Sequence, residues 1–356
     1  MDSITQAVLG ASVQGALLGR WQGRKALFYG AALGTLPDLD VIIDYGDAVA
    51  NMTYHRGFSH SLLVTSLLSV LLAWLIRRVR PHSDYSGRRL WLCIWLVLTT
   101  HILLDAFTTY GTQLFWPLTP PPVAISSIFI IDPLYTVPLL LAVIVGLTVG
   151  LQRRFGLRLQ YAALALSSLY LLSTLAGKQM AGHRLELALA EADIQPQVTF
   201  SSPTPFNTLL WRVVAVDGDN YYEGLVGWLD TQPLRLERLP RRASEALPVL
   251  QESPQHQRLR WFSQDLLRYD LIEGQWVVTD LRLGMTGYHP FRFALSQQNQ
   301  QGDMELIDFV ELWPAPQADM AALKALKHRA LDDSYSLSLG HLAEGLALSA
   351  DASASE

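Results

Sequence analysis

Long apolar runs fill the first half of the chain and leave it few folds to choose from. They lie at about 4–19, 26–43, 61–76, 90–105, 134–151 and 159–177 of the 356 residues. A bilayer core requires about 20 apolar residues in a helix, because backbone polar groups in lipid must be satisfied within the segment. Four of the runs reach or approach that length. The first is short and rich in Gly and Ala, and the second is interrupted by Pro37-Asp38-Leu39-Asp40. These two are read either as spans or as re-entrant helices. Only 17% of the residues are charged, against about 25% in soluble domains, and the deficit lies before Gly177. The expected fold class is an all-α multi-span membrane domain of about six helices over residues 1–178, followed by a β-rich α+β soluble domain.

Basic residues occupy alternate loops. Arg20, Arg24 and Lys25 follow the first run, Arg77, Arg78, Arg80, Arg88 and Arg89 the third, and Arg153, Arg154 and Arg158 the fifth, whereas the loops 44–60 and 106–133 contain only Arg56. Short basic loops stay cytoplasmic. This predicts a multi-pass protein of the bacterial inner membrane, embedded in the lipid bilayer, with both termini and the soluble domain extracytoplasmic. The start, Met1-Asp2-Ser3, lacks the basic segment of a signal peptide and is read as retained.

The soluble domain is expected over 179–345. Strands are predicted at 209–216, 221–229, 258–270, 275–283 and 305–313, with turns at Asp217-Gly218-Asp219-Asn220 and Glu273-Gly274. Short helices are expected near 183–193 and 318–331, and a disordered tail over 346–356. Trp211, Trp228, Trp261, Trp276 and Trp313 fall in or beside the strand patterns and are assigned to a core. The single cysteine, Cys93, excludes an intramolecular disulfide and a paired-cysteine zinc site. A net charge of -5 gives no reason to expect a nucleic-acid partner.

Chemistry-bearing residues gather in the loops poor in basic residues. They are Pro37-Asp38-Leu39-Asp40 with Asp44 and Asp47, the segment His55-Arg56-Gly57-Phe58-Ser59-His60-Ser61, the helical pair His101 and Asp105, and Asp132 before the fifth run. His101 and Asp105 are four apart, so imidazole and carboxylate share one helix face. His55 and His60 would diverge by about 140° in a continuous helix, and Gly57 makes a turn there that could let both rings converge. Imidazole nitrogen with carboxylate oxygen suits zinc, and also manganese or iron. Asp38, Asp40, His55, His60, His101 and Asp105 are therefore the candidate ligands, with Asp132 as a further ligand or support. Asp38 and Asp40 can equally cap a helix, and a single histidine at a helix end is commonly structural. His82 lies in an arginine-rich loop predicted on the opposite face and is set aside. His183, His256, His289, His328 and His341 lack ligand spacing and are read as surface or structural. No nucleophile elbow, phosphate-binding loop or dinucleotide fingerprint occurs.

These clusters resemble the YdjM-like membrane-bound metal-dependent hydrolases of bacteria. The resemblance rests on Met1-Asp2-Ser3-Ile4-Thr5-Gln6, Pro37-Asp38-Leu39-Asp40, the segment His55 to Ser61, and His101-Ile102-Leu103-Leu104-Asp105. It continues through Phe107-Thr108-Thr109-Tyr110-Gly111-Thr112-Gln113 and Ile130-Ile131-Asp132-Pro133-Leu134-Tyr135. It covers roughly residues 1–150. Many members carry His where this chain has Gln6, a poor ligand. The resemblance implies a membrane-bound, metal-dependent hydrolase. A more distant similarity, to zinc-dependent phospholipases C, is one of motif types only.

The functional expectation is a hydrolase that uses a divalent metal at the membrane surface. His60, His101, Asp105 and Arg56 are its catalytic candidates, and Arg56 is suited to an anionic group. A small-molecule phosphoester or a lipid-linked compound is the expected substrate class. The rival expectation is a non-enzymatic membrane protein with a structural metal site, whose β domain binds a protein partner.

Overall fold

The computed structural model of the chain describes residues 1–80, 84–315, 320–335, 337–344 and 346. His82 and, apart from Leu346, the expected tail lie outside the described residues. The chain divides into two compact units: Met1–Ile43 with His55–Leu175, and Asp44–Tyr54 with Ala176–Glu356.

In chain order the first helices are α1 (Ser3–Gln22), α2 (Lys25–Gly34), α3 (Ala48–Tyr54), α4 (Leu62–Val79), α5 (Gly87–Phe107), α6 (Pro133–Val149) and α7 (Arg154–Glu191). Single 3₁₀ turns cover Pro37–Ile42 and Phe58–His60. Among the described residues, three helices, α4, α5 and α7, are long and apolar enough to cross a membrane, and α6 is a shorter apolar helix. Each of the six apolar runs thus falls on a helix, and three of these helices meet the length and apolarity of a span. The α2 helix has only 10 residues. The α1 helix is long enough, but Gln6, Ser12 and Gln14 dilute its apolar content, and all three are buried against protein. These two helices pack through small residues: a Cβ at Gly30 would lie 2.3 Å from the Gly10 carbonyl oxygen, and one at Gly34 2.6 Å from that of Gln6. Backbones in such contact suit helices that pack without a hydrophobic driving force between them.

The separate helix expected at 183–193 is the end of α7, one helix of 38 residues. No cap or proline interrupts it, and Gly177 is where the Trp211 ring fits, 2.5 Å from a would-be Cβ.

The second unit contains two four-stranded antiparallel sheets, each a simple meander. The first comprises β1 (Val198–Pro203), β2 (Leu210–Asp217), β3 (Asn220–Gly227) and β4 (Glu237–Pro240). Helices α8 (Ala243–Leu250) and α9 (Pro254–Ser263) follow. The second sheet comprises β5 (Leu267–Ile272), β6 (Gln275–Asp280), β7 (Arg292–Gln298) and β8 (Met304–Leu306). Helices α10 (Met320–Leu331) and α11 (Leu339–Glu344) complete the unit. Glu273 and Gly274 turn β5 into β6 with φ of 52° and 75°, the conformation a two-residue hairpin requires. The strand expected over 258–270 begins only at Leu267. Ser253 caps α9 by accepting from the His256 N–H, and Pro254 starts the helix. The strand expected over 305–313 shrinks to β8 and a single bridge at Leu312. Trp211 and Trp276 are buried as expected of core residues, but Trp228 is 46% exposed. Leu346, assigned to the tail, is buried, and its carbonyl accepts from Arg292.

His256 lies fully buried, with Nε2 3.0 Å from the Tyr269 hydroxyl. Burial, helped by the Arg260 charge, pushes its pKa down to about 4. Unfolding restores the ordinary value of about 6.5, so the unfolded chain binds the proton more readily. The stabilisation from keeping this ring neutral is complete above about pH 6.5 and is lost as pH falls toward 4. Thermal unfolding followed at pH 7.5, 6 and 4.5 should show a falling midpoint, and His256→Gln should flatten that fall. An equal fall in the variant would remove His256 as its source.

Candidate metal centre

The α5 helix supplies His101 and Asp105 one turn apart, with both side chains buried. The Phe58–His60 turn supplies His60, and the Pro37–Ile42 turn supplies Asp38. The two imidazole centroids are 5.2 Å apart. His60 Nε2 lies 3.2 Å from His101 Nε2, 3.1 Å from Asp105 Oδ2 and 3.4 Å from Asp38 Oδ1. His101 Nε2 lies 3.3 Å from Asp105 Oδ2 and 3.5 Å from Asp38 Oδ1. One atom from each of the four residues falls within 4.8 Å of every other.

Hydrogen-bond partners assign the tautomers of the neutral rings. His101 Nδ1 can only donate to the Gly34 carbonyl, 2.6 Å away. Ser59 Oγ donates to Asp40 Oδ2 at 2.6 Å and so accepts from His60 Nδ1 at 2.9 Å. Both Nε2 atoms then direct lone pairs at each other and at two carboxylate oxygens. Asp38 Oδ1, also buried, makes no hydrogen bond. Four converging acceptors are mutually repulsive unless a cation or protons lie among them. A tetrahedral shell with bonds of about 2.0–2.1 Å has edges of about 3.3 Å, and the five distances above bracket that value. The residues therefore fit a divalent cation.

The other side of Asp105 is fully engaged. Its Oδ1 faces the Met1 amino group, Arg56 at 3.2 Å and the Gln6 amide at 3.1 Å. Arg56 is only 4% exposed, stands over the Tyr110 ring at 5.1 Å and reaches the Thr108 hydroxyl at 3.4 Å. Its first role is thus to balance the buried Asp105 charge, and its Nε has no hydrogen-bond partner.

Several expected ligands stand outside the group of four. Asp40 sits one layer behind, accepting from Ser59 and from the Arg56 N–H at 2.9 Å. Burial works against its charge, but His55 and Ser59 outweigh it and hold the carboxyl below its ordinary value. His55 pairs with Asp40, Nδ1 to Oδ1 at 3.0 Å, and is 20% exposed at the side chain. Asp44 and Asp47 belong to the other unit. Asp132 is not brought to the cluster: it caps α6, accepting from Leu134 and Tyr135 N–H groups and from the Tyr170 hydroxyl. Asp2 likewise caps α1. Asp132→Ala should therefore cost about 1 kcal/mol of stability, seen as a lower thermal midpoint, and leave metal content unchanged. Lost metal in a folded Asp132→Ala protein would place Asp132 back among the ligands.

Sequence reasoning missed Ser59, Gln6 and the Gly34 carbonyl as supports. Ser59, next to a ligand histidine and four residues after His55, offered a weak signal. A backbone carbonyl offers none.

Apolar helices together with a buried His/Asp cluster define a membrane protein with a candidate metal centre in its helical unit. Residues 1–181 match the family described as YdjM inner membrane protein, and the chain belongs to that family. It is 24% identical over 307 residues to YfhP of Bacillus subtilis, described as uncharacterized, covering 82% of this chain and 89% of that protein. It is 37% identical over 93 residues to the inner membrane protein YbcI of Escherichia coli, covering 26% of this chain and 52% of that one. No solved structure matches the chain.

Proposed function

We propose that this protein is a divalent-metal-dependent hydrolase working at the membrane surface. The observation that carries the reading is the convergence of four acceptor atoms from three separate segments, with the two imidazole nitrogens 3.1–3.5 Å from each other and from the two carboxylate oxygens. Asp38, His60, His101 and Asp105 would hold the ion. Zinc is the first choice for two imidazoles and two carboxylates in a four-coordinate shell, with manganese or iron accepted by the same donors. A bound divalent ion supplies a Lewis acid and lowers the pKa of water to about 7.

The chain's own residues do the rest. Gly34 and the Asp40–Ser59 pair fix the two rings, since second-layer acceptors set ring orientation and basicity. Arg56 keeps Asp105 ionised and offers its free Nε to an anionic group. His55, partly exposed and paired with Asp40, would exchange a proton with a bound substrate. A phosphoester or a lipid-linked compound fits a cationic centre with an arginine beside it. The arrangement of basic loops supports an extracytoplasmic site and β domain.

A second reading has its own observation. Four protein ligands, three of them buried to 1% exposure or less, resemble the closed shell of structural zinc sites. The test is to assay purified protein, metal-loaded and chelator-stripped, against phospholipids and generic phosphoesters. Metal-dependent turnover lost in His101→Ala supports the hydrolase. No turnover, with thermal stability that still depends on metal, overturns it in favour of the structural site.

A further inference from the structure

We propose that the Pro37–Ile42 turn and the loop at residues 116–118 sit in the headgroup–acyl boundary of the bilayer, so that the cluster opens toward membrane lipid and not toward bulk water. The substrate class that follows, a lipid whose scissile ester lies at headgroup depth, rests on the hydrolase reading; the insertion itself does not.

The opening is on the side of Asp38. It is the one member of the four with appreciable exposure, 20% of its side chain. The aliphatic residues of this turn face outward. Leu39 is 53%, Val41 70% and Ile42 77% exposed, whereas Asp40 is buried at 4%. A short polar turn facing water would have the reverse pattern. Leaving three branched aliphatic side chains in water forgoes the favourable burial of their apolar surface.

A second apolar edge lies beside the other loop of the site. Phe58, two residues before His60, is 41% exposed and packs edge-on against Trp116 at 6.4 Å. Leu118 is 69% exposed. This loop is fixed to the ligand-bearing turn by the Ser61 hydroxyl, which donates to the Trp116 carbonyl at 2.6 Å.

What covers these edges follows from what they continue into. Ser61 caps α4, and the outward residues of α4's first turns, Leu63 and Leu67, are 55% and 63% exposed on a helix apolar and long enough to span. The exposed side of the 58–61 turn thus runs directly into the apolar surface of a helix long enough to span, which acyl chains would cover. A tryptophan at such a junction is typical of a membrane–water boundary. At the opposite ends of these helices stand Arg77 and Arg78, closing α4, and Arg88 and Arg89, opening α5, whereas Arg56, the basic residue beside the site, is buried at 4% exposure. No lysine or arginine interrupts either apolar edge.

The test uses the full chain in lipid nanodiscs. Cys93 is the only cysteine, so a Cys93→Ala background accepts single nitroxide labels at Val41→Cys, Ile42→Cys and Leu118→Cys. Leu67→Cys serves as the lipid control and Gln300→Cys as the water control. Collision rates with oxygen, which concentrates in acyl chains, are compared with those of a water-soluble nickel chelate. Labels at 41, 42 and 118 are expected to favour oxygen, as the label at 67 does. If those at 41 and 42 favour the chelate like the label at 300, the site opens to water and the proposal falls. If they are shielded from both reagents, protein covers the edge, and it falls equally. Because no turnover is read, labels reporting lipid in a protein without hydrolytic activity would leave this inference standing and sink only the hydrolase reading.

Discussion

His101→Ala is expected to leave purified protein with background metal by elemental analysis, and His60→Ala should do the same. Each ring contributes one of only four donors, and each is almost wholly buried. Water entering the vacated space cannot restore a donor aimed by a second hydrogen bond. The loss should therefore exceed the 10–100-fold that removal of a supporting residue costs in metal affinity. Ser59→Ala supplies that smaller effect. It removes the acceptor that holds the proton on His60 Nδ1 and leaves all four donors in place. A graded series, with wild type and Asp132→Ala full, Ser59→Ala weakened and His101→Ala empty, is what this geometry demands. Size-exclusion profiles and helical circular dichroism must match wild type for the comparison to stand. Full metal in a folded His101→Ala protein would dissolve the centre as described.

Some of that centre could be read from the sequence and some could not. The His101 and Asp105 pair was legible because helical periodicity alone puts positions four apart on one face. His60 was legible as a ligand candidate, but so was His55, and nothing local separates them. Their difference arises in the backbone: Arg56 adopts φ of 58° and a 3₁₀ turn follows Gly57, which sends His60 inward and leaves His55 at the edge. Asp38 and Asp40 posed the same problem. Two residues apart in a tight turn, one faces the rings and the other faces Ser59. Asp132 shows the opposite failure. An aspartate before a proline at a helix start is also a good cap, and here capping is what it does. In the helical unit, hydropathy located the long apolar helices but not the role of the first two. Their glycines serve helix-to-helix contact, and the buried Gln6 of the first reaches Asp105 on α5, tertiary properties that a window of sequence does not carry. In the second unit, alternation found β2, β3 and β6, whereas α9 was hidden because its Leu259, Trp261 and Phe262 also suit a strand.

Glu223→Ala should be among the most damaging single changes in the second unit, lowering its stability by about 3–5 kcal/mol. Glu223 on β3 and Arg212 on β2 are 0% and 1% exposed, and Arg212 Nε meets Glu223 Oε1 at 2.5 Å. Arg212 also donates to the Leu281 carbonyl at 2.6 Å, and the Thr286 hydroxyl donates to Glu223. The pair thus ties the first sheet to the segment that follows β6. Truncating the glutamate leaves a guanidinium buried with no carboxylate, which is worse than removing both charges. The double variant Arg212→Met, Glu223→Leu should therefore unfold closer to wild type than Glu223→Ala does, because apolar side chains of similar volume replace a buried pair at little cost. Thermal unfolding of the three proteins under one detergent condition gives the comparison. The coupling shows as non-additivity, expected for residues in direct contact. A loss below about 1 kcal/mol for Glu223→Ala would mean that the pair is solvated and contributes little to joining the two sheets.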